Sequence, residues 1–530
     1  MYEFQHGDRG NDEAGLFASR SIEVGVPMRV CLINPYVDIS ESIYRENFTM
    51  LPPLGLGYLA AVLAQNDHEV AVVDCISASP MPAEQRPGNM VRIGFGNDEV
   101  IRRVKEFKPD IVGISCCYTE HADQCYEIAE LIKQDYSEDV PIVAGGAHPS
   151  VRPEEVLDGH KIDFVAVGEG EGIMTDLCDA IEADRPTDDI QGLLLKDGDG
   201  GLVGNPQRPR ISDLDEIPFP RRDLFPLENY FKRQRLFPND INNRNIPKTS
   251  ILTSRGCPGN CVFCAIRCTW GRKWIGRSPE NVVAEIESLV RDYGIRELDF
   301  VDDSVSVSRS RLKRICELMI EKGIDIKWTT PNGIAIWTLD REMLRLMKRA
   351  GCYRLVFGFE SGDPETLAFI RKRYGLDHVR DIVKYANRLG FWTVGTFIVG
   401  FPYESAKHIQ NTSDFAASLG LDLAMFYCAT PYPGTDLYDI CVKEGIDTAP
   451  RLHKRGLPTL FLTADEVDDY RAAATVQFMK SLVRRPWKPL EKIRTFDDLR
   501  YTVKVVAYSL RMLLGRSEAG KLNRYPNYKR

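Results

Sequence analysis

Nowhere does the chain gather the roughly 18 uncharged apolar residues that a membrane-crossing helix requires. The first 27 residues are polar and lack an apolar core of signal-peptide length, so 1–27 reads as a flexible arm. An excess of positive charge is missing too: the formal net charge is -8, which gives nucleic acid no support as the main partner. No GxGxxG follows the first expected strand, and GxxxxGK with Ser or Thr after it is absent, so dinucleotide and phosphate-cradling classes fall away. The 14 cysteines are scattered and do not form a secreted disulfide framework. No transmembrane segment and a cytoplasmic location are the expectations.

At 530 residues there is room for two or three cores. From Arg29 onward, β-branched runs near 29–34, 69–74, 110–116, 141–144 and 163–167 alternate with helical patterns near 54–66, 97–108, 121–135, 153–158 and 172–184. This predicts a doubly wound parallel sheet over 28–184, with ligands beyond the carboxyl ends of the strands. The loops there hold Pro35 and Tyr36, then Thr119 and Glu120, then Gly145, Gly146 and His148, then Gly168, Glu169 and Glu171. Residues 185–248 read as a Pro-rich linker with a hairpin at Gly200-Gly201, and the Arg221-Arg222 pair as surface charge. A second series of six strands, near 249–254, 297–302, 326–330, 354–360, 392–399 and 421–429, predicts a partial (β/α)6 barrel over 249–444. Residues 445–530 read as a helical region packed over the barrel mouth, with 499–510 amphipathic enough for a membrane-surface role.

The loop after the barrel's first strand carries Cys257, Cys261 and Cys264 as CxxxCxxC, with Gly256, Pro258 and Gly259 permitting a tight turn. A structural zinc closes with four protein ligands, whereas a four-iron cluster held by three thiolates keeps one iron open for chemistry. Cys268 would close the set as a zinc knuckle or a saturated cluster, but it stands among bulky neighbours. Trp270 and Trp274 nearby read as a hydrophobic cover.

CxxxCxxC with Phe263 before its last cysteine resembles the signature of radical S-adenosylmethionine (radical SAM) enzymes. Pro52-Pro53-Leu54-Gly55-Leu56-Gly57, the Gly-Gly-Ala-His-Pro-Ser loop at Gly145 and Gly-Glu-Gly-Glu at Gly168 resemble the cobalamin-binding branch, its methyltransferase-like members included. The resemblance covers about 28–440 and implies an α/β chain: a Rossmann-like cobalamin-binding domain, a radical SAM barrel and a helical C-terminal region. It implies a [4Fe-4S] cluster on Cys257, Cys261 and Cys264, S-adenosylmethionine and cobalamin as cofactors, and an external one-electron reductant such as flavodoxin or ferredoxin. It places S-adenosylmethionine near Phe263, Asp302, Asp303, Ser304, Glu360, Ser361, Gly362, Gly395 and Ile398, and cobalamin near the strand-end loops with Leu54 and Gly55. Ser304 reads alternatively as a helix cap, and Gly362-Asp363-Pro364 as a helix start. The DxHxxG motif that supplies a cobalt-ligating histidine in many cobalamin domains is absent, so cobalt is expected without an imidazole.

The implied activity is methyl transfer from S-adenosylmethionine, via methylcobalamin, to an unactivated carbon or phosphinate phosphorus of a small molecule, as in antibiotic or secondary-metabolite biosynthesis. A radical cyclase or rearrangement catalyst is the alternative, and a non-catalytic cobalamin or redox sensor a third class. Tyr427, Tyr432 and Asn332 are the candidates for substrate contact.

Overall fold

A computed structural model of the chain describes residues 27–40, 50–78, 83–196, 201–236, 240–448 and 456–513. The first domain is built on β1 (Arg29–Asn34), β3 (Glu69–Asp74), β6 (Ile111–Ser115), β7 (Ile142–Gly145) and β8 (Phe164–Ala166). These five strands run parallel in the order β3-β1-β6-β7-β8. Their near-continuous apolar sequences suit strands covered by helices on both faces. Chain order reverses between β1 and β6, and in an open α/β sheet that switch point is where a ligand sits.

Two additions go beyond the alternating pattern. β2 (Val37–Ser40), β4 (Ala83–Arg86) and β5 (Met90–Ile93) form a separate antiparallel sheet, braced by Arg92 donating to both Asp38 carboxylate oxygens at 2.8 Å. Ala83-Glu84-Gln85-Arg86 is too polar to announce a strand. The stretch 185–248 also does more than link domains: β9 (Leu193–Lys196) and β10 (Leu202–Gly204) extend the large sheet antiparallel beyond β8. That pair lies where a hairpin was expected, although Gly200 itself is outside the described residues. Arg222 is not surface charge: it is buried, donating to Glu285 at 2.6 Å and to the Ser250 carbonyl at 2.9 Å.

The second sheet runs β11 (Lys248–Ile251), β14 (Glu297–Phe300), β15 (Lys327–Ile334), β16 (Cys352–Glu360), β17 (Trp392–Val399) and β18 (Leu423–Cys428), all parallel. The short antiparallel pair β12 (Ser254–Arg255) and β13 (Ile275–Gly276) fastens the loop after β11. Helices start where caps permit. Ser278 accepts from the Asn281 amide ahead of Pro279, and Asp363 accepts from Glu365 and Thr366 ahead of Pro364. Ser304 caps no helix; Ser308 occupies that position for Arg309–Glu321.

Most of the C-terminal helical region lies beside and beneath the barrel; only the first turn of Ala464–Val483 reaches the mouth, where Val467 meets Gly400 just after β17. Ala464–Val483 packs on β18 and on the helix Ala406–Ser418. In Phe496–Leu513, the Tyr501 ring meets Tyr353 at 5.5 Å and Trp392 at 5.3 Å, at the amino-terminal ends of β16 and β17. The apolar partners for this region lie under the barrel and along its β18 edge, which sequence periodicity cannot distinguish from the mouth.

Where the first domain meets the 185–248 segment, Asp74 is buried and accepts from Asn34 at 2.8 Å and from the Tyr230 hydroxyl. Burial outweighs these donors and pushes its carboxyl up to about 6. A raised carboxyl stabilises the fold in its protonated form, so this contribution is complete below the ordinary range near 4 and is lost as pH rises through about 6. Asp74→Asn is expected to remove on the order of 2–3 kcal/mol of that pH dependence, read as the difference between parent and variant unfolding curves from pH 4 to 7.

Candidate active site

The cysteine loop is held before it is loaded. Gly256 has φ +85°, and a Cβ there would meet the Lys273 carbonyl oxygen at 2.6 Å, so only glycine fits. Its amide donates to Asp303 at 3.0 Å. Asp302 accepts from the Thr253 amide at 3.2 Å and from the Thr253 and Ser254 hydroxyls at 2.6 and 2.5 Å. The Gly259 amide donates to Cys257 Sγ at 3.4 Å, so the loop turns back on its first thiol. Cys268 Sγ points elsewhere, donating to the Gly434 carbonyl at 3.1 Å.

These residues fit the implied cluster. The sulfurs of Cys257 and Cys261 lie 3.3 and 3.9 Å from the position a Gly259 Cβ would take, while Cys268, the fourth ligand a closed zinc site needs, is turned to Gly434. Burial pushes all three thiols up, Cys264 to about 12, while the Lys372 ammonium works in the opposite direction on each. Iron bound by Cys257, Cys261 and Cys264 would supply the remaining pull toward the thiolate form.

Lys372 was missed in the sequence because it hides in Arg371-Lys372-Arg373. Its Nζ lies 3.2 Å from the Gly358 carbonyl and 3.4 Å from Glu360. Burial alone would lower the Lys372 pKa, but Glu360 and the thiols raise it; burial raises that of Glu360. Glu360 has φ +64° and follows a register shift between β16 and β17, a bulge that re-aims its carboxylate.

The other residues expected near S-adenosylmethionine divide. Asp303 borders the interdomain cleft, with its carboxyl pushed up to about 6 by burial. Ser304 Oγ is buried and has no hydrogen-bond partner among the described residues, an open donor. Phe263 and Ile398 pack together with Phe401 beside the cysteine loop. Ser361 is engaged inside the protein, with its hydroxyl on Thr412 at 2.8 Å and the Asp363 amide at 3.0 Å. At Gly395 a Cβ would meet Leu421 at 2.7 Å, so the missing side chain makes room for that neighbour. Gly362 is a packing glycine against Phe415.

Between the domains lies a cleft of about 590 Å³. Leu32, Gly113, Val143, Ala166 and Met174 form its deep apolar floor; Gly55, Thr119, Gly145, Gly146, His148, Gly168, Glu169 and Glu171 line it from the first domain. Apolar walls with glycine-lined approaches fit a large, flat cofactor such as cobalamin. Gly146 has φ +115°, and a Cβ would strike the Cys116 carbonyl at 2.6 Å. Four expected residues are not on this wall. β1 passes straight into β2, so Pro35 and Tyr36 join strands, and the buried Tyr36 ring lies under Arg92 at 4.1 Å. Leu54 packs in a separate cluster with Tyr58 and Leu214, and Glu120 is exposed beside the cleft. Both His148 nitrogens are occupied, Nε2 by the Tyr126 hydroxyl and Nδ1 by Thr119, each at 3.1 Å. An Asp-x-His does occur at Asp158-Gly159-His160, but Asp163 stands where DxHxxG needs glycine, and His160 stacks on Tyr126 at 3.5 Å, off the cleft.

Arg255, two residues before Cys257, joins the two sites. Its guanidinium is buried and donates to Glu169 at 2.8 Å and to Glu171 at 2.5 Å, with Trp270 and Tyr58 rings 5.2 and 5.7 Å away. Glu169 also accepts from the Ile211 amide at 2.7 Å.

Residues 48–178 match the B12 binding domain, and residues 251–416 match the Radical SAM superfamily. An uncharacterized methyltransferase of Pyrococcus horikoshii is 34% identical over 420 residues, covering 79% of this chain and 84% of the relative. The cytidylyl-2-hydroxyethylphosphonate methyltransferase of Streptomyces wedmorensis is 31% identical over 458 residues, covering 80% and 84%. A solved structure of the cobalamin-dependent S-adenosylmethionine radical enzyme OxsB shares the fold, with TM-score 0.69, 18% identity, and coverage of 94% of this chain and 72% of that one. The chain belongs to the cobalamin-binding radical SAM family, in its methyltransferase-like branch.

Two outcomes test the site. Arg255→Met leaves two buried carboxylates facing each other, so stability is expected to fall by about 3–5 kcal/mol and cobalamin to be lost on gel filtration. Arg255→Lys should rescue only part of this, because one ammonium cannot span both carboxylates as a planar fork does. Separately, Cys268→Ala should leave the iron content of anaerobically reconstituted protein unchanged, whereas alanine at Cys257, Cys261 and Cys264 together should abolish it.

Proposed function

We propose that the chain transfers a methyl group from S-adenosylmethionine, by way of cobalamin, to an unactivated carbon or phosphinate phosphorus of a small-molecule biosynthetic intermediate. One observation carries the reading: Ala265, Ile266, Thr269 and Trp270, which directly follow the cluster cysteines, line the same cleft as Gly145, Gly146 and Gly168. The bound cofactors supply a carbon-centred radical and a transferable methyl group. The rest falls to the protein. Glu360 and Lys372, adjacent to the thiols, suit the ammonium and carboxylate of an amino acid. The Asp303 carboxyl and the unpartnered Ser304 hydroxyl suit ribose or amine donors. The apolar cleft excludes water that would divert a radical.

Trp337, Met425 and Tyr427 are large apolar side chains left 45%, 40% and 39% exposed, and Tyr432 lines the cleft. We assign them to the substrate side. Asn332 is occupied, donating to the Val301 carbonyl at 2.7 Å. The likeness to a phosphonate methyltransferase supports a phosphorus-bearing substrate as the first class to test. The electron donor is a flavodoxin or ferredoxin, and the reducing cytoplasm is the compartment that suits both it and the thiolates.

The test is a timed anaerobic assay with methyl-labelled S-adenosylmethionine. Label in the product, with 5'-deoxyadenosine and S-adenosylhomocysteine in equal amounts, is expected. 5'-Deoxyadenosine alone with an unlabelled product would replace this reading with a radical cyclase.

A further inference from the structure

The final stretch of the chain has a charge unlike the rest. Residues 484–530 hold thirteen Lys and Arg against four Asp and Glu, a net +9, in a chain whose total is -8. The same stretch exposes an ordered apolar stripe. On the helix Phe496–Leu513, Phe496, Leu499, Val503, Val506 and Leu510 are 79%, 43%, 59%, 37% and 52% exposed. Their spacing of three and four residues puts them on one face, and Tyr501 and Val505 anchor the opposite face to the barrel. The turn Lys488–Lys492 packs against this helix, with Trp487 just before it and Leu490 within it, 57% and 63% exposed.

Beside Trp487 is a basic hollow of about 430 Å³, lined by Arg380, Lys384, Arg388, Arg485 and Lys488 with Glu491 as its one acid. Arg380, Lys384 and Arg388 recur every fourth residue along Leu376–Arg388, so they share a face. Among the described residues, neither these three nor Arg485 has a carboxylate partner within salt-bridge distance, while Lys488 pairs with Asp422 at 2.9 Å. The hollow lies at Gly420, just before β18, so this surface is at the amino-terminal end of the barrel strands, away from the cofactor loops.

We propose that this surface docks on a bilayer containing anionic phospholipid: the basic hollow takes headgroup phosphates and the apolar stripe with Trp487 enters the interface. Apolar area and cationic charge are the two terms that hold an amphipathic helix on an anionic membrane, and both are present side by side here. No described helix is long and apolar enough to cross a membrane, so the attachment is peripheral. A second copy of the chain suits the stripe less well. A coiled-coil seam needs oppositely charged flanks, and the flanking positions here are Arg500, Thr502, Ala507 and Ser509.

The full chain, purified anaerobically, is to be co-sedimented with vesicles of phosphatidylcholine alone and of phosphatidylcholine mixed with phosphatidylglycerol. Binding to the mixed vesicles only, weakened by high salt, is expected. Both Arg388→Glu/Arg485→Glu and Val503→Glu/Leu510→Glu should weaken it by roughly tenfold or more while leaving S-adenosylmethionine cleavage unchanged. The inference is overturned if mixed vesicles do not bind the chain or if either variant binds them like the parent. It is equally overturned if sedimentation velocity shows a dimer that Val503→Glu/Leu510→Glu dissolves, which would give the stripe to a second copy.

Discussion

One buried cation governs how the two halves of this molecule meet. Arg255 lies between Glu169 and Glu171 of the cobalamin-binding domain and between the rings of Trp270 and Tyr58. A buried charge is tolerated only when paired and hydrogen-bonded, so neither carboxylate can move away without stranding it. The guanidinium belongs to β12, and the first cluster cysteine follows two residues later. The position of the cysteine loop is therefore tied to a loop of the other domain.

A second set of constraints keeps the barrel side in register with that clamp. Asp302 and Asp303, at the end of β14, bind the backbone and hydroxyls of 253–256, so the loop is anchored from below as well as across. On the far side, the bulge before Glu360 brings a carboxylate to Lys372 and the thiols. Residues held in sparsely populated backbone conformations concentrate at functional sites, and Glu360 is one of six non-glycine residues with positive φ among those described.

Most of this architecture was legible because both sheets alternate strands and helices with clear hydrophobic periods. β1, β3 and β17 have the expected bounds. Illegible were elements whose reason lies in tertiary pairing. Ala83–Arg86 is a polar strand, and β9 with β10 joins antiparallel to a sheet whose other strands are parallel. In the site, the cysteines, Asp303 and the glycine loops could be read from spacing and position. Arg255 and Lys372 could not, since a basic residue beside other basic or polar residues gives no sign of burial. The packing roles of Gly362 and Gly395 were hidden for a related reason: a glycine that admits a neighbouring side chain looks the same in sequence as one that admits a ligand.

The central claim is that the cluster and the cobalamin share one cleft whose two walls the Arg255 clamp holds together. It is tested most directly by electron paramagnetic resonance of the doubly loaded protein with cobalt as Co(II) and the cluster reduced. Magnetic broadening of the Co(II) signal on cluster reduction, diminished in Arg255→Lys protein that still holds both cofactors, is the predicted result. A Co(II) signal indifferent to the redox state of the cluster would contradict the account.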